Sequence, residues 1–125
     1  MMKLWIDDIR NAPDESWNIC RTVQSAVNAL ANFGPTIEQI SLDHDISHQV
    51  TVGAMGRPYP CEETFQTVAH VMGLLKSLHP EWNPDVAIHS ANPAGRLALR
   101  TILHGYGISS VEDALPQANR LEQNL

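Results

Sequence analysis

The sequence predicts a single-domain α/β fold in which helices on both faces of a mostly parallel, doubly wound sheet form three layers. Short apolar runs alternate with segments of helical periodicity, a pattern typical of parallel strands joined by helical crossovers. With 125 residues, of which 43% are hydrophobic, the chain can bury one core and is too short for two. Three apolar runs each end in a polar cluster: Leu4-Trp5-Ile6, Ile40-Ser41-Leu42 and Val86-Ala87-Ile88.

The first half of the chain is predicted to contain three strands and one helix. A nearly continuous apolar run, typical of a strand buried on both faces, is followed by a loop and a brief second strand, which leave no room for a helix between the two strands. The helix comes next, with Thr22 as its N-cap and Gly34-Pro35 as its stop. In order, these elements are a strand at 3–8, a loop at 11–16, a strand at 17–21, a helix at 23–33 and a strand at 37–42.

The second half begins with a loop from Ile46 to Pro60, a length that in a small domain indicates a lid, a binding loop or disorder. Asn92-Pro93 combines an N-cap with proline at the first helical position. We place the α/β domain at residues 1–107 and a C-terminal extension, expected to form a short packed or frayed helix, at 108–125. The remaining predicted elements are a helix at 62–79, a strand at 85–88 and a helix at 93–104.

Acidic residues follow the first and third strands, and the winding of the sheet is expected to reverse between these strands. Open α/β sheets bind ligands at the carboxyl ends of such strands. Clustered carboxylates repel one another and are compensated most simply by a hard divalent cation, Mg²⁺ or Mn²⁺. We expect Asp8 and Asp43 to be ligands, with Asp7 and Asp45 as further ligands, directly or through water. Alternatively, each acidic group caps a strand and faces water.

Histidines accompany these carboxylates. His44 is a candidate general acid or base, because the unperturbed pKa of histidine is close to physiological pH. The alternative is that it lies at the surface or supports a neighbouring ligand. Its i,i+4 spacing to His48 also occurs in zinc sites, although neither cysteine is adjacent.

The segment from His89 to Arg96 joins a strand to a helix and has the composition of an anion site. Backbone N–H groups at a helix start, the hydroxyl of Ser90 and the guanidinium of Arg96 could converge on one phosphate. Alternatively, Asn92 only begins the helix and Gly95 only permits close packing. Further positive charge at this edge is expected from Arg10 and Arg21, which follow the first two strands, and Arg57 in the long loop could close over a ligand.

Composition restricts the partners. A net charge of -6 repels duplex DNA and anionic membranes, so a phosphate-bearing ligand needs local arginines or a metal. No apolar run approaches the ~20 residues of a membrane span, and no signal peptide is expected. Cys20 and Cys61 match no Cys-x-x-Cys spacing, which indicates reduced thiols in a cytoplasmic protein.

Four ordered motifs between residues 3 and about 104 resemble the cyclic-phosphate processing receiver-like domain family, a divergent relative of response-regulator receivers. They are Leu4-Trp5-Ile6-Asp7-Asp8-x-Arg10, Arg21-Thr22, Ile40-Ser41-Leu42-Asp43-His44-Asp45 and His89-Ser90-x-Asn92-Pro93-x-Gly95-Arg96. The resemblance implies a receiver-like, flavodoxin-like sheet. The segment from Ile46 to Glu63 departs from the family, because a longer loop replaces a short glycine-rich connection.

The resemblance also implies roles for single residues. Asp7 and Asp8 match the Mg²⁺ ligands of receivers, Asp43 matches the phosphoacceptor and Ser90 the conserved hydroxyl of that fold. A receiver also needs a lysine at the end of its last strand, whereas this chain has lysine only at positions 3 and 76. The candidate phosphate ligands are Arg10, Thr22, Ser90, Asn92 and Arg96.

Our first functional hypothesis is a metal-dependent phosphoesterase acting on a cyclic phosphate, either a 2′,3′-cyclic RNA end or a cyclic nucleotide. Its catalytic residues would be Asp43, His44 and His89. The second hypothesis is a non-catalytic module that binds a phosphate-bearing ligand or a protein. The third is a receiver-type switch phosphorylated on Asp43.

Overall fold

The computed structural model describes residues 2–45, 50–52, 58–60 and 64–114. These residues form one five-stranded and one two-stranded sheet, together with three α-helices. The elements are β1 (Met2–Ile6), β2 (Asn18–Cys20), α1 (Val23–Phe33), β3 (Ile37–Leu42), β4 (Val50–Val52), β5 (Pro58–Pro60), α2 (Gln66–Leu78), β6 (Asp85–Ile88), α3 (Pro93–Gly105) and β7 (Val111–Asp113).

The large sheet has the order β2-β1-β3-β6-β7, and every neighbouring pair is parallel. The chain moves from β1 to one side and then returns past it to β3, so the direction of winding reverses between β1 and β3. This order is the doubly wound, flavodoxin-like arrangement. The predicted parallel sheet and the position of its switch point are therefore confirmed.

Local signals determine the N-terminal elements. The side chain of Thr22 accepts a hydrogen bond from the N–H of Ser25, and α1 ends at Gly34, whose φ of 51° is accessible to glycine without strain. Both ends of this helix are as predicted. The short β2 follows β1 without an intervening helix, which is also as predicted.

The described helices cover one face of the sheet. Alternate strand residues such as Leu4, Ile40 and Val86 form a core with apolar side chains of all three helices, and α2 packs between α1 and α3. The opposite face carries Trp5 and borders a cavity of about 670 Å³ whose walls include Trp17 of the β1–β2 loop. The sequence predicted helices on both faces. In the described residues a loop covers part of the second face, because the β1–β2 connection contains no helix.

The segment after β3 differs most from expectation. Residues 50–52 and 58–60, predicted as part of a loop, pair as the antiparallel strands β4 and β5. The prolines of β5 argue against a central strand but are tolerated in a two-stranded sheet, where both strands are edges. His48, Arg57 and Cys61 lie outside the described residues, as does the extension from residue 115 onward.

The chain re-enters the domain beside the point where it left β3. Asp45 and Thr64 form an isolated antiparallel bridge, and the N–H of Phe65 donates to the carbonyl of His44 at 2.8 Å. Helix α2 therefore begins at Gln66, later than the predicted residue 62. At the other end, β7 pairs with β6, so the sheet continues past residue 107. None of the helices in the described ranges is long and apolar enough to cross a membrane.

Candidate metal and phosphate site

Strand register places three polar residues side by side at one edge of the sheet. Ile6 pairs with Leu42, which pairs with Ile88. The ladder continues one residue further, because the N–H of Asp43 donates to Ile6 and the N–H of His89 donates to Leu42. Asp7, Asp43 and His89 are consequently adjacent and project to the same side of the sheet.

Asp7 is the most heavily hydrogen-bonded of these residues. Its Oδ1 accepts from the backbone N–H groups of Ile9 (2.9 Å) and Arg10 (3.0 Å). Its Oδ2 accepts from His89 Nε2 at 2.9 Å and from the Arg10 guanidinium at 3.2 Å. Burial alone would raise the pKa of Asp7, but the bonds from His89, Arg10 and Ile9 outweigh it and hold the pKa well below its usual range. Asp7 is therefore a fixed negative charge in the interior.

Asp43 has less compensation. Its Oδ1 accepts from the N–H of His44 at 2.8 Å, and its Oδ2 lies 3.4 Å from the Arg10 guanidinium. Burial and the nearby charge of Asp7 raise the pKa of Asp43 to about 6. The site thus holds one strongly ionised carboxylate, Asp7, and one that resists ionisation, Asp43. A further cation at the site would stabilise the ionised form of Asp43.

The carboxyl groups fit a hard divalent cation. Asp7, Asp8 and Asp43 each offer an oxygen within 4.8 Å of the other two. Carboxylate oxygens are the ligands that Mg²⁺ and Mn²⁺ prefer. Asp45 lies outside this group and instead contacts His44 and Asn92.

His89 connects the carboxylates to the strand beside it. Its exposed fraction is 1%, its Nδ1 lies 2.7 Å from the hydroxyl of Ser41, and its ring stacks on Trp5 with centroids 4.1 Å apart. Because ionised Asp7 can only accept, Nε2 carries the proton, and in a neutral imidazole Nδ1 then accepts from Ser41. Ser41 and Trp5 were not among the predicted site residues. The signal for Ser41 was a hydroxyl between the apolar residues Ile40 and Leu42 near the end of its strand.

A second polar cluster surrounds His44. Its Nδ1 lies 2.5 Å from Asp45, and its Nε2 lies 2.9 Å from the side-chain nitrogen of Gln66. The backbone at Gly95 packs closely against this ring. A Cβ atom at position 95 would lie 2.5 Å from Cγ of His44, which is too close unless the ring moves. Close packing therefore accounts for Gly95, and the sequence carried no signal for Gln66.

The remaining predicted phosphate ligands are distributed around the start of α3. Asn92 caps this helix by accepting from Ala94 and Gly95, as predicted, and its N–H donates to the hydroxyl of Ser90. Arg96 donates to the carbonyl of Ser90 and pairs with Asp113. Of these residues, Asn92 contacts Asp45, at 3.4 Å. The hydroxyl of Thr22 is engaged in capping α1.

At this edge of the described structure, arginines supply the positive charge and the two lysines do not. Arg21 donates to the carbonyl oxygens of Asp7 and Arg10 and so supports the loop after β1. Lys3 bonds Ser16, and Lys76 donates to the carbonyl oxygens of Pro80 and Trp82 beyond α2. Neither lysine is thus placed to bind a phosphorylated Asp43.

The raised pKa of Asp43 predicts an unusual dependence of stability on pH. The pKa of Asp43 is about 6 in the folded protein and 3.8 for an ordinary aspartate, so its contribution to stability is complete below about pH 4 and is lost as pH rises through 6. We expect the cation-free protein to lose roughly 2 to 3 kcal/mol of unfolding free energy between pH 4 and 7. Urea denaturation in the presence of a chelator measures this. The same slope in Asp43→Asn would contradict the assignment.

The fold and the site together define a class: a receiver-like α/β domain with an acidic cluster at the carboxyl ends of β1 and β3. The family model of the cyclic-phosphate processing receiver domain matches residues 2–105. The chain belongs to this family, which confirms the resemblance of its four motifs. No match was found among curated proteins or among solved structures.

Proposed function

We propose that the protein is a metal-dependent phosphoesterase that opens a cyclic phosphate, such as a 2′,3′-cyclic phosphate at an RNA end or in a cyclic nucleotide. The observation that carries the proposal is the convergence of the carboxyl groups of Asp7, Asp8 and Asp43 beside Arg10, in a chain of the cyclic-phosphate processing family. The net charge of -6 favours a small phosphate group over an extended nucleic acid.

The acidic residues would hold the cation. When bound, a divalent cation supplies charge neutralisation at the phosphoryl oxygens and lowers the pKa of water. Asp7 is already ionised, and hydrogen bonds from the N–H groups of Ile9 and Arg10 and from His89 fix the orientation of its carboxylate. A bound cation would stabilise the negative charge of the Asp43 carboxylate and so favour the loss of its proton.

The reaction needs one proton at the leaving group. The oxygen of water forms a bond to phosphorus and releases one proton to solvent, while the bond from phosphorus to one ribose oxygen breaks. That ribose oxygen takes a proton from an acid that solvent then reprotonates, so the net reaction adds one water and gives a phosphomonoester. We assign this proton to His44, whose imidazolium would be stabilised by Asp45 at Nδ1. Because Gln66 lies 2.9 Å from Nε2 of His44, its side chain would have to turn away before Nε2 donates to the ribose oxygen.

We assign His89 a positioning role. Its ring is only 1% exposed and stacks on Trp5, and its Nε2 is hydrogen-bonded to the carboxylate of Asp7. It therefore orients Asp7 and does not reach the substrate. Ser90, Asn92 and Arg96 would hold the remaining phosphate charge at the start of α3.

The experiment is a turnover assay on the whole chain. Cyclic 2′,3′-AMP and an oligonucleotide with a 2′,3′-cyclic phosphate end are incubated with Mn²⁺ or Mg²⁺, and phosphorus NMR follows conversion to the monoester. We expect turnover that a chelator abolishes and that His44→Gln slows at least about 100-fold. His104→Gln, which changes an exposed histidine of α3, is the matched control and should leave the rate unchanged.

Other outcomes identify the alternatives. Binding of the cyclic nucleotide without turnover would favour a non-catalytic module. Stable labelling of Asp43 by acetyl phosphate would favour a receiver-type switch. Turnover that persists after removal of all divalent cations would contradict the proposed role of the carboxylates.

A further inference from the structure

The guanidinium of Arg10 lies between two of the carboxyl groups that would bind the cation. One nitrogen, NH1, is 3.2 Å from Oδ2 of Asp7 and 3.4 Å from Oδ2 of Asp43. Among the described residues, the guanidinium of Arg10 is thus hydrogen-bonded to both carboxyl groups. A divalent cation at this site would therefore compete with the guanidinium for the same carboxyl groups, which cannot bind both fully at the same time.

The backbone of Arg10 is fixed, whereas its side chain is not. Its N–H donates to Asp7, and its carbonyl oxygen accepts from Trp5 Nε1 at 3.0 Å and from Arg21 at 2.6 Å. The side chain is 20% exposed, and the contacts that it makes with carboxyl groups of the described residues are all through NH1. The side chain can therefore turn outward without unfolding the loop that carries it.

We propose that Arg10 is a displaceable cation: a divalent metal releases its guanidinium from the Asp7–Asp43 pair and thereby makes it available to bind the phosphate of the substrate. This inference rests on the metal site of the proposed function. Without metal, Arg10 neutralises the carboxylates. With metal bound, the metal neutralises those carboxylates. The released guanidinium then lies beside the position where a phosphate would meet the cation, and it can contact that phosphate through two nitrogens.

The proposal predicts opposite effects of one substitution on two ligands. Removing Arg10 removes the competitor of the metal, so Arg10→Gln should bind Mn²⁺ roughly fivefold to tenfold more tightly than the wild type. The same variant, saturated with Mg²⁺, should bind inorganic phosphate at least about tenfold more weakly, since a charge-assisted hydrogen-bond donor is lost. If Arg10 only stabilised the fold, Arg10→Gln would weaken the binding of both Mn²⁺ and phosphate or of neither.

The measurements use the whole chain. Free Mn²⁺ is followed by electron paramagnetic resonance, and phosphate binding in saturating Mg²⁺ by phosphorus NMR. Arg100→Gln is the matched control: it removes the same charge from an exposed pair with Asp113 and should leave both affinities within about twofold. Equal or weaker Mn²⁺ binding by Arg10→Gln would overturn the proposal.

A readout on the unmodified protein covers the case in which Arg10→Gln folds poorly. The arginine side-chain nitrogen spectrum of the wild type should change at Arg10 when Mg²⁺ is added, and the conservative variant Arg10→Lys identifies that signal. An unchanged signal under saturating Mg²⁺ would overturn the proposal. Absence of Mn²⁺ binding by the wild type would overturn both this inference and the proposed function, whereas metal binding with the predicted changes but without turnover would overturn only the latter.

Discussion

Replacing Asp7 by asparagine should destabilise the protein by about 3 kcal/mol at pH 7, the scale expected when one partner of a buried ion pair is removed. The amide oxygen can still accept from the N–H groups of Ile9 and Arg10. Its NH₂ group, however, would meet two other donors, His89 Nε2 and the Arg10 guanidinium. The loss is moderated because the negative charge that opposes ionisation of Asp43 also disappears.

Two measurements on Asp7→Asn test this account. Urea denaturation gives the change in unfolding free energy, and carboxyl carbon NMR should show the pKa of Asp43 falling below the wild-type value of about 6. Asp85→Asn changes an exposed aspartate at the opposite end of β6 and should alter stability by no more than about 0.5 kcal/mol. A loss below about 1 kcal/mol for Asp7→Asn would contradict the central position of Asp7.

Replacing Asp43 by asparagine should have effects of opposite sign on stability and metal binding. In cation-free buffer at pH 7 the variant should be more stable than the wild type by roughly 2 kcal/mol, because a buried carboxylate whose pKa is raised to about 6 no longer has to ionise. Its amide oxygen still accepts from the N–H of His44, and its NH₂ group replaces the oxygen that lies 3.4 Å from the Arg10 guanidinium. Affinity for Mn²⁺ should fall at least about 100-fold, since one anionic ligand of three is lost.

Because the expected changes in stability and in Mn²⁺ affinity have opposite signs, measuring both distinguishes a carboxylate that binds metal from one that only stabilises the fold. Thermal unfolding with and without Mn²⁺ gives both quantities from one preparation, because a ligand that binds only the folded protein stabilises it. The wild type should be stabilised by Mn²⁺ and Asp43→Asn should not. A variant that is less stable than the wild type in cation-free buffer would show that Asp43 serves the fold.

The parts of the fold that local chemistry determines were predictable. Both ends of α1 follow from a capping hydroxyl at Thr22 and a glycine at position 34. The pairing of β4 with β5 was not predictable, because it depends on which partner a short segment finds, and two prolines argued against a strand. The late start of α2 has a similar cause, since Thr64 pairs with Asp45 across 18 intervening residues.

The candidate site divides in the same way. Parallel strands bring their carboxyl ends together, so the adjacency of Asp7, Asp43 and His89 was predicted from sequence alone. Contacts across strands or from distant helices require register and packing, which explains why Ser41 and Gln66 were missed. Asp45 was expected among the metal ligands, but it turns toward His44.

The bridge between Asp45 and Thr64 has a consequence for how this domain tolerates insertions and deletions. It holds the two ends of the intervening segment together at the domain surface, so doubling the length of that segment would add only about 0.6 kcal/mol of closure entropy. A single inserted residue within β1 or β3 would instead turn Asp7 or Asp43 to the opposite face of the sheet. Length variation among related domains should therefore concentrate between positions 45 and 64, where a new substrate-contacting rim can be built without disturbing the carboxylates.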